Sequence, residues 1–152
     1  MKQIDEDALR EMHKSVFNSG VSPARAYVEF FAAAMQWPVS AYAPRTLSEA
    51  GNTAHEVTWL KDNAIGRAWC ATGDDTPEVK AAIHPLSSIA RVDLGATVRD
   101  DGISQSVVRS MSVQFIDGES LTIDLAKFTS WTQRDHAGAF IDAVLDAVGE
   151  LR

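Results

Sequence analysis

The spacing of apolar residues changes twice along this chain, from helical to strand period near residue 53 and back to helical period near residue 130. A period of 3.6 marks a helix with one buried face, and a period of 2 marks a strand with one buried face. Helices and strands are therefore segregated here, which predicts an α+β fold and excludes a doubly wound α/β sheet, where the two alternate.

The first 37 residues read as a helical hairpin. Asp5 is placed as an N-cap, Glu6 and Asp7 follow where the helix dipole favours acid, and Ile4 can staple onto Leu9. Leu9, Met12, Val16 and Phe17 share a stripe, and Gly20 reads as the stop. Ser22 with Pro23 starts a second helix, on which Ala24, Tyr27, Val28, Phe31 and Met35 recur until Pro38. Tyr27, Phe30, Phe31 and Trp37 exceed what one stripe needs, so the hairpin is expected to be buried on two sides, against its own sheet or in a dimer. The run 38–52, PVSAYAPRTLSEAGN, holds turn formers and no period and reads as a connecting loop. Residues 1–52 are thus hairpin and loop, and 53–152 are sheet and closing helix, expected to form one compact unit.

Within the strand region, Val57 and Trp59, then Ile65, Arg67 and Trp69, alternate around a Lys61-Asp62-Asn63 turn. Strands over 78–84 and 88–94 are separated at His84-Pro85. Strands 107–116 and 120–126 flank Asp117-Gly118, a dipeptide suited to a two-residue primed turn. A last helix starts at Ser130 or Thr132, with Ser130 and Gln133 as a capping box, and buries Phe140, Ile141, Val144, Leu145, Val148 and Leu151. The expected architecture is a bent antiparallel sheet, or partly open barrel, of about six to seven strands closed by a C-terminal helix.

The segment from Glu56 to Gly149 resembles the bacterial pleckstrin-homology-like (PH-like) domains. The resemblance is carried by WLKDNAIGRAW as a first hairpin, HPLSSIARVDL as a proline-broken strand pair, and VQFIDGESLTIDL leading into the amphipathic helix. It implies a strand beyond the six counted, for which Ala96 to Arg99 is the candidate. In function it implies either phosphoinositide headgroups bound by a basic first hairpin or contacts with proteins and peptides. The N-terminal helices lie outside the resemblance.

Charge decides between those roles. With 14 Lys and Arg against 21 Asp and Glu, the net charge is −7, which disfavours nucleic acid and anionic membranes as partners. The first 50 residues carry five basic and six acidic side chains, and the remaining 102 carry nine and fifteen, so the excess belongs to the sheet and last helix. The first hairpin offers Lys61 and Arg67 beside Asp62 and Glu56, too few cations for multivalent phosphate recognition, which argues against phosphoinositide binding. No apolar run is long enough for membrane insertion. A single cysteine and an N-terminus without signal-peptide layout lead us to expect a cytoplasmic protein.

Signatures of the common enzyme classes are absent from the sequence: no Gly-X-Ser-X-Gly, Walker loop, Gly-X-Gly-X-X-Gly, His-Glu-X-X-His or EF-hand spacing. His13, His55, His84 and His136 have no metal-ligand spacing and are expected to titrate without large shifts. His55 and Glu56 are neighbours on a strand and point to opposite faces. Cys70 reads as a buried, unreactive thiol with no cation near it in sequence. Asp74, Asp75 and Glu78, and likewise Asp100 and Asp101, read as solvated turns rather than cation sites. No catalytic residue, cofactor or metal is assigned. Two candidate surfaces stand out: the acidic stripe Asp142, Asp146 and Glu150 for a protein partner, and a pocket near Trp59, Trp69 and His84. The expected function is a non-catalytic interaction module that binds a protein partner or self-associates. The rival is a small-molecule pocket protein or enzyme of helix-grip or cone-shaped α+β type, with His84, Arg109, His55 or Asp124 inside; a chain that begins and ends on helices weighs against it.

Overall fold

In the computed structural model, which describes residues 5–17, 24–49, 52–72, 79–100, 102–128 and 130–150, helices α1 (Glu6–Val16) and α2 (Arg25–Met35) precede two antiparallel sheets. The first sheet has the order β1 (Ala41–Glu49), β2 (Asn52–Lys61), β3 (Ala64–Thr72), β4 (Val79–Pro85). The second has the order β5 (Ile89–Asp100), β6 (Gln105–Phe115), β7 (Ser120–Asp124), and α3 (Trp131–Glu150) follows. This is an α+β chain with a C-terminal helix, and the described strands do not close a barrel.

Asp5 caps α1 as expected, its carboxylate accepting from the Asp7 N–H at 3.2 Å. The stapling Ile4 and the Gly20 stop lie outside the described residues, as do Ser22 and Pro23. Helix α2 begins at Arg25 with Ala24 at its cap and no side-chain cap bond, and it ends where Gln36 takes a left-handed φ of 53°. The Lys61 ammonium donates to the freed Gln36 carbonyl, which ties that helix end to the β2–β3 turn.

Residues 38–52, expected to be a loop, contain strand β1, paired with β2 from Ala41↔Leu60 to Glu49↔Asn52. This strand completes the count of seven. Ala96 to Arg99 is instead the continuation of β5. Two causes hid β1. Pro44 sits in it, which a strand at the edge of a sheet tolerates. The strand is also covered on both faces, with Pro44 buried on one and Ala43 on the other, so no alternation shows.

The Asp117-Gly118 turn differs from expectation as well. A two-residue primed turn needs positive φ at its first central residue, and in type I′ at both, but here only the second, Gly118, has one, 90°. The Gly118 N–H donates to the Phe115 carbonyl at 3.0 Å and the Phe115 N–H to Glu119 at 2.9 Å, giving a longer loop with glycine at the left-handed position. Only half of the expected capping box forms at α3. The Gln133 N–H donates to Ser130 Oγ at 3.4 Å, while the Gln133 side chain turns inward to Thr46 Oγ1, also at 3.4 Å.

The centre of the four-stranded sheet is buried on both faces, while β4 is largely exposed. On one face Val57, Trp59, Ala68 and Cys70 pack against Leu9, Met12, Val16, Phe31 and Met35 of the helical hairpin. On the other, Ala43, Leu60 and Ile65 meet Met111, Val113 and Ile123 of the second sheet and Phe140, Ile141 and Val144 of α3. Of the hairpin aromatics expected to be buried on two sides, Phe31 is buried against the protein's own sheet, while Tyr27, Phe30 and Trp37 are half-buried at its margin. Gly66 lies opposite Trp59, and the indole occupies the space a β-carbon would fill. Replacing Gly66 with alanine forces that ring out of a filled core, so Gly66→Ala is expected to cost about 1–3 kcal/mol in urea-unfolding stability, against under about 0.5 kcal/mol for an exposed control such as Ser106→Ala.

Candidate functional site

The three residues expected to line one pocket do not converge. Trp59 faces the helical hairpin and is 2% exposed. Trp69, cross-strand from Glu56, lies on the opposite face of the same sheet, because adjacent β2 and β3 positions alternate in direction. The space between Trp59 and the hairpin is filled by side chains. His84 shares the Trp69 face at the other end of the β3–β4 pair, stacked on Phe115 with ring centroids 4.0 Å apart and with Nε2 3.3 Å from an Asp117 carboxylate oxygen. Beside it a cavity of about 70 Å³ lies between the sheets, lined by Ile65, Arg67, Ala82 and Leu121. The larger space is an open groove of about 510 Å³ over Arg67, Trp69, Lys80 and Ala82. Arg67 donates to Glu56 at 2.7 Å, which offsets its charge. Lys61 and Arg67 leave opposite faces of the sheet, and Lys61 is engaged with Gln36.

The charged and polar groups named from sequence fall in three places. His55 is buried beneath α1, edge-on to Phe17 at 5.7 Å, with Nδ1 3.4 Å from Thr46 Oγ1. Glu56 points the other way, so the two form no acid–base pair. Sequence missed the cross-strand partner of His55, which is Cys70, because register rather than spacing brings them together. Burial pushes the Cys70 thiol up, opposed by a hydrogen bond from the His55 backbone, so the thiol stays protonated. Burial pushes the His55 imidazole below its ordinary range. This is a desolvated, packed imidazole, not one tuned by a carboxylate. Asp124 accepts from the Ala126 N–H at 3.0 Å and ends β7.

The acidic stripe on α3 is partly engaged. Asp142 accepts from Arg109 of β6 at 2.8 and 3.5 Å, and that guanidinium also donates to the Gly138 carbonyl at 3.3 Å. These bonds hold the Asp142 carboxyl below its usual range. Asp146 and Glu150 are exposed on the turns that follow. Trp131, at the start of the same helix, is exposed, with the Arg134 guanidinium 5.8 Å from its ring centroid. Asp74, Asp75 and Glu78 lie outside the described residues. Asp100, expected in a turn, ends β5 and accepts from the Gly102 N–H at 2.9 Å, which lowers its pKa, and Asp101 lies outside the described residues. Among the described residues no group of three or more His, Cys, Asp or Glu is placed to hold a metal ion, and no helix is long and apolar enough to cross a membrane.

Sequence patterning gave no warning of the most exposed apolar surface. Strand β7 pairs with β6 only from Ser110 to Gln114, whereas β5 and β6 stay paired out to Asp100↔Gln105. The pair runs on as a two-stranded arm, and every described residue from Leu94 to Val107 is exposed. Leu94, Val98 and Val107, each about 60% exposed, continue the face that Val113 and Met111 bury at its base. Ile103 stands at the tip.

Comparison with protein-family models, with curated proteins and with solved structures finds no match to this chain.

The burial of His55 has a measurable consequence. An unfolded imidazole takes a proton near pH 6.5, whereas the folded one takes it only at lower pH, so the unfolded state binds more protons between those values. Stability from this site is thus present above about pH 6.5 and lost as pH falls through the folded pKa. Melting temperature should drop across that window in the wild type, and His55→Gln should remove the drop, whatever it costs in absolute stability.

Proposed function

We propose that this protein is a non-catalytic interaction module built on a PH-like scaffold, with the β5–β6 arm as its contact surface. Seven described antiparallel strands followed by a closing helix are compatible with such a scaffold and support the kinship suggested by the hairpin and helix motifs. The observation that carries the functional reading is the arm itself. Apolar side chains over half exposed, clustered on one face of a projecting ribbon, are uncommon on surfaces that meet only water and mark contact sites.

The other surfaces offer less. Arg109 already offsets Asp142, which leaves Asp146 and Glu150 as the outward part of the acidic face. WLKDNAIGRAW, expected as the first hairpin, is the second, β2–β3, and phosphoinositide binding gains no support there because Lys61 and Arg67 diverge and Glu56 offsets Arg67. A small-molecule pocket has the open groove beside Trp69 as its best support, a surface depression without the enclosure that buries most of a ligand.

Photocrosslinking tests the arm. A benzoylphenylalanine at position 98 or 107 should give a discrete protein adduct in lysate of the native cell, and the same probe at Ala126, exposed but off the arm, should not. Adducts of equal yield at all three positions, or none at any, would reject the arm as the contact surface.

A further inference from the structure

We infer that the arm's partner is a second copy of this chain, joined edge to edge through antiparallel self-pairing of β5 about a two-fold axis at Ala96. The inference rests on the interaction-module reading and names its partner. Its starting point is the state of the sheet edges. Strands β7, β4 and β1 are each protected: β7 spans five residues, β4 carries Lys80 and ends on Pro85, and α3 packs against β1. Strand β5 has none of these devices. It runs twelve residues, with a register shift only at its base between Ile89 and Arg91, and among the described residues no strand lies on its outer side. From Val92 to Val98 it carries no proline and no lysine, and its apolar face holds Val92, Leu94, Ala96 and Val98. Such an edge is a template for strand addition.

Charge selects the occupant and the register. A two-fold axis perpendicular to the sheet keeps each face on its own side, so the axis must pass through a residue position of β5. Centred on Gly95, the pairing sets Arg91 against Arg99 of the second copy, which repels. Centred on Leu94, it leaves Asp93 opposite Gly95 and Arg91 opposite Thr97, with no ion pair. Centred on Thr97, it drives Leu94 against Asp100 and sets Arg99 opposite Gly95, with no ion pair among the described residues. Centred on Ala96, it sets Val92 opposite Asp100 at the two ends, but it sets Asp93 opposite Arg99 and Leu94 opposite Val98, each twice by symmetry, and so is the register of these four that forms ion pairs. Arg91 donates to Asp93 at 2.8 Å and so already holds that carboxylate on the charged face where Arg99 of the second copy would meet it. On the other face the two copies of Leu94 and Val98 cover one another, with Val107 alongside Val98. The two three-stranded sheets become one of six strands, β7-β6-β5-β5-β6-β7.

Sedimentation equilibrium on the purified full chain tests this. The wild type should be a dimer at about 100 µM, and Asp93→Arg or Arg99→Asp alone should each raise the dissociation constant about tenfold or more. The double variant Asp93→Arg/Arg99→Asp, which restores both pairs with signs exchanged, should return it to near the wild-type value. Rescue by the exchanged pair separates pairing from any loss of fold, and circular dichroism on each variant confirms that the fold is kept. Val98→Lys should give a monomer. A wild type that stays monomeric, a dimer unaffected by Val98→Lys, or single reversals that the double variant does not rescue would each overturn the self-pairing. A monomer whose position-98 probe still captures another protein would reject self-pairing and keep the interaction-module reading; a monomer without arm adducts would reject both.

Discussion

Burial of one sheet on both of its faces is the constraint from which the rest of this structure follows. A sheet with one wet face can stand on its own polar side chains, but β2 and β3 have little of that option, since the helical hairpin takes one face and the second sheet with α3 takes the other. Each layer therefore needs the other two. Strand β1 shows how they are joined. Tyr42 donates to the Ser15 carbonyl at 3.4 Å on the hairpin side and stacks on His136 of α3 at 4.5 Å, while Thr46 sits between His55 of β2 and Gln133 of α3. Hydrogen bonds of this kind contribute about 0.5–1.5 kcal/mol each, so they orient the layers, and the apolar contacts of Phe31, Met12, Phe140 and Ile141 supply most of the attraction.

What was legible from sequence follows the same line. Elements with one buried face announced themselves: α1 by its stripe and Asp5 cap, the β6–β7 hairpin by alternation, α3 by Phe140, Ile141 and Val144. Strand β1, covered on both sides and interrupted by Pro44, had no period to read. The candidate sites fared worse for a related reason. Whether Trp59 and Trp69 face one space, or His55 meets Cys70 instead of Glu56, depends on register, and a shift of one residue inverts every answer. The arm escaped notice because alternation says which face a residue is on and not how far the neighbouring strand extends. Leu94 and Val98 alternate like core residues yet are exposed, Leu94 level with Met111 and Ile123 and Val98 past the point where β7 stops pairing with β6.

The end of the core can be located at a single ion pair. Arg109 of β6 reaches Asp142 and the Gly138 carbonyl, bonding the middle of α3 to the sheet. Past that point the β5–β6 ladder continues without apolar cover, and a lone two-stranded ribbon is marginal in water. Backbone bonds alone do not hold such a ribbon firmly, because each exchanges for a bond to solvent at small net gain. Covering Leu94 and Val98 would supply the missing burial, on the order of 0.8 kcal/mol for each methylene-sized group removed from water. The arm is thus a described part of the fold that lacks apolar cover of its own.

Net charge bears on which partner. Two bodies of charge −7 repel at long range, although physiological salt screens that repulsion beyond about 8 Å. A surface meant for self-contact in such a chain has to be locally neutral. Strand β5 meets that requirement, with Arg91 and Arg99 against Asp93 and Asp100, while the exposed face of α3 with Asp146 and Glu150 does not. The acidity that disfavours anionic partners over the whole surface thus leaves β5 locally balanced, and among the described residues that strand also has an open edge and an uncovered apolar face.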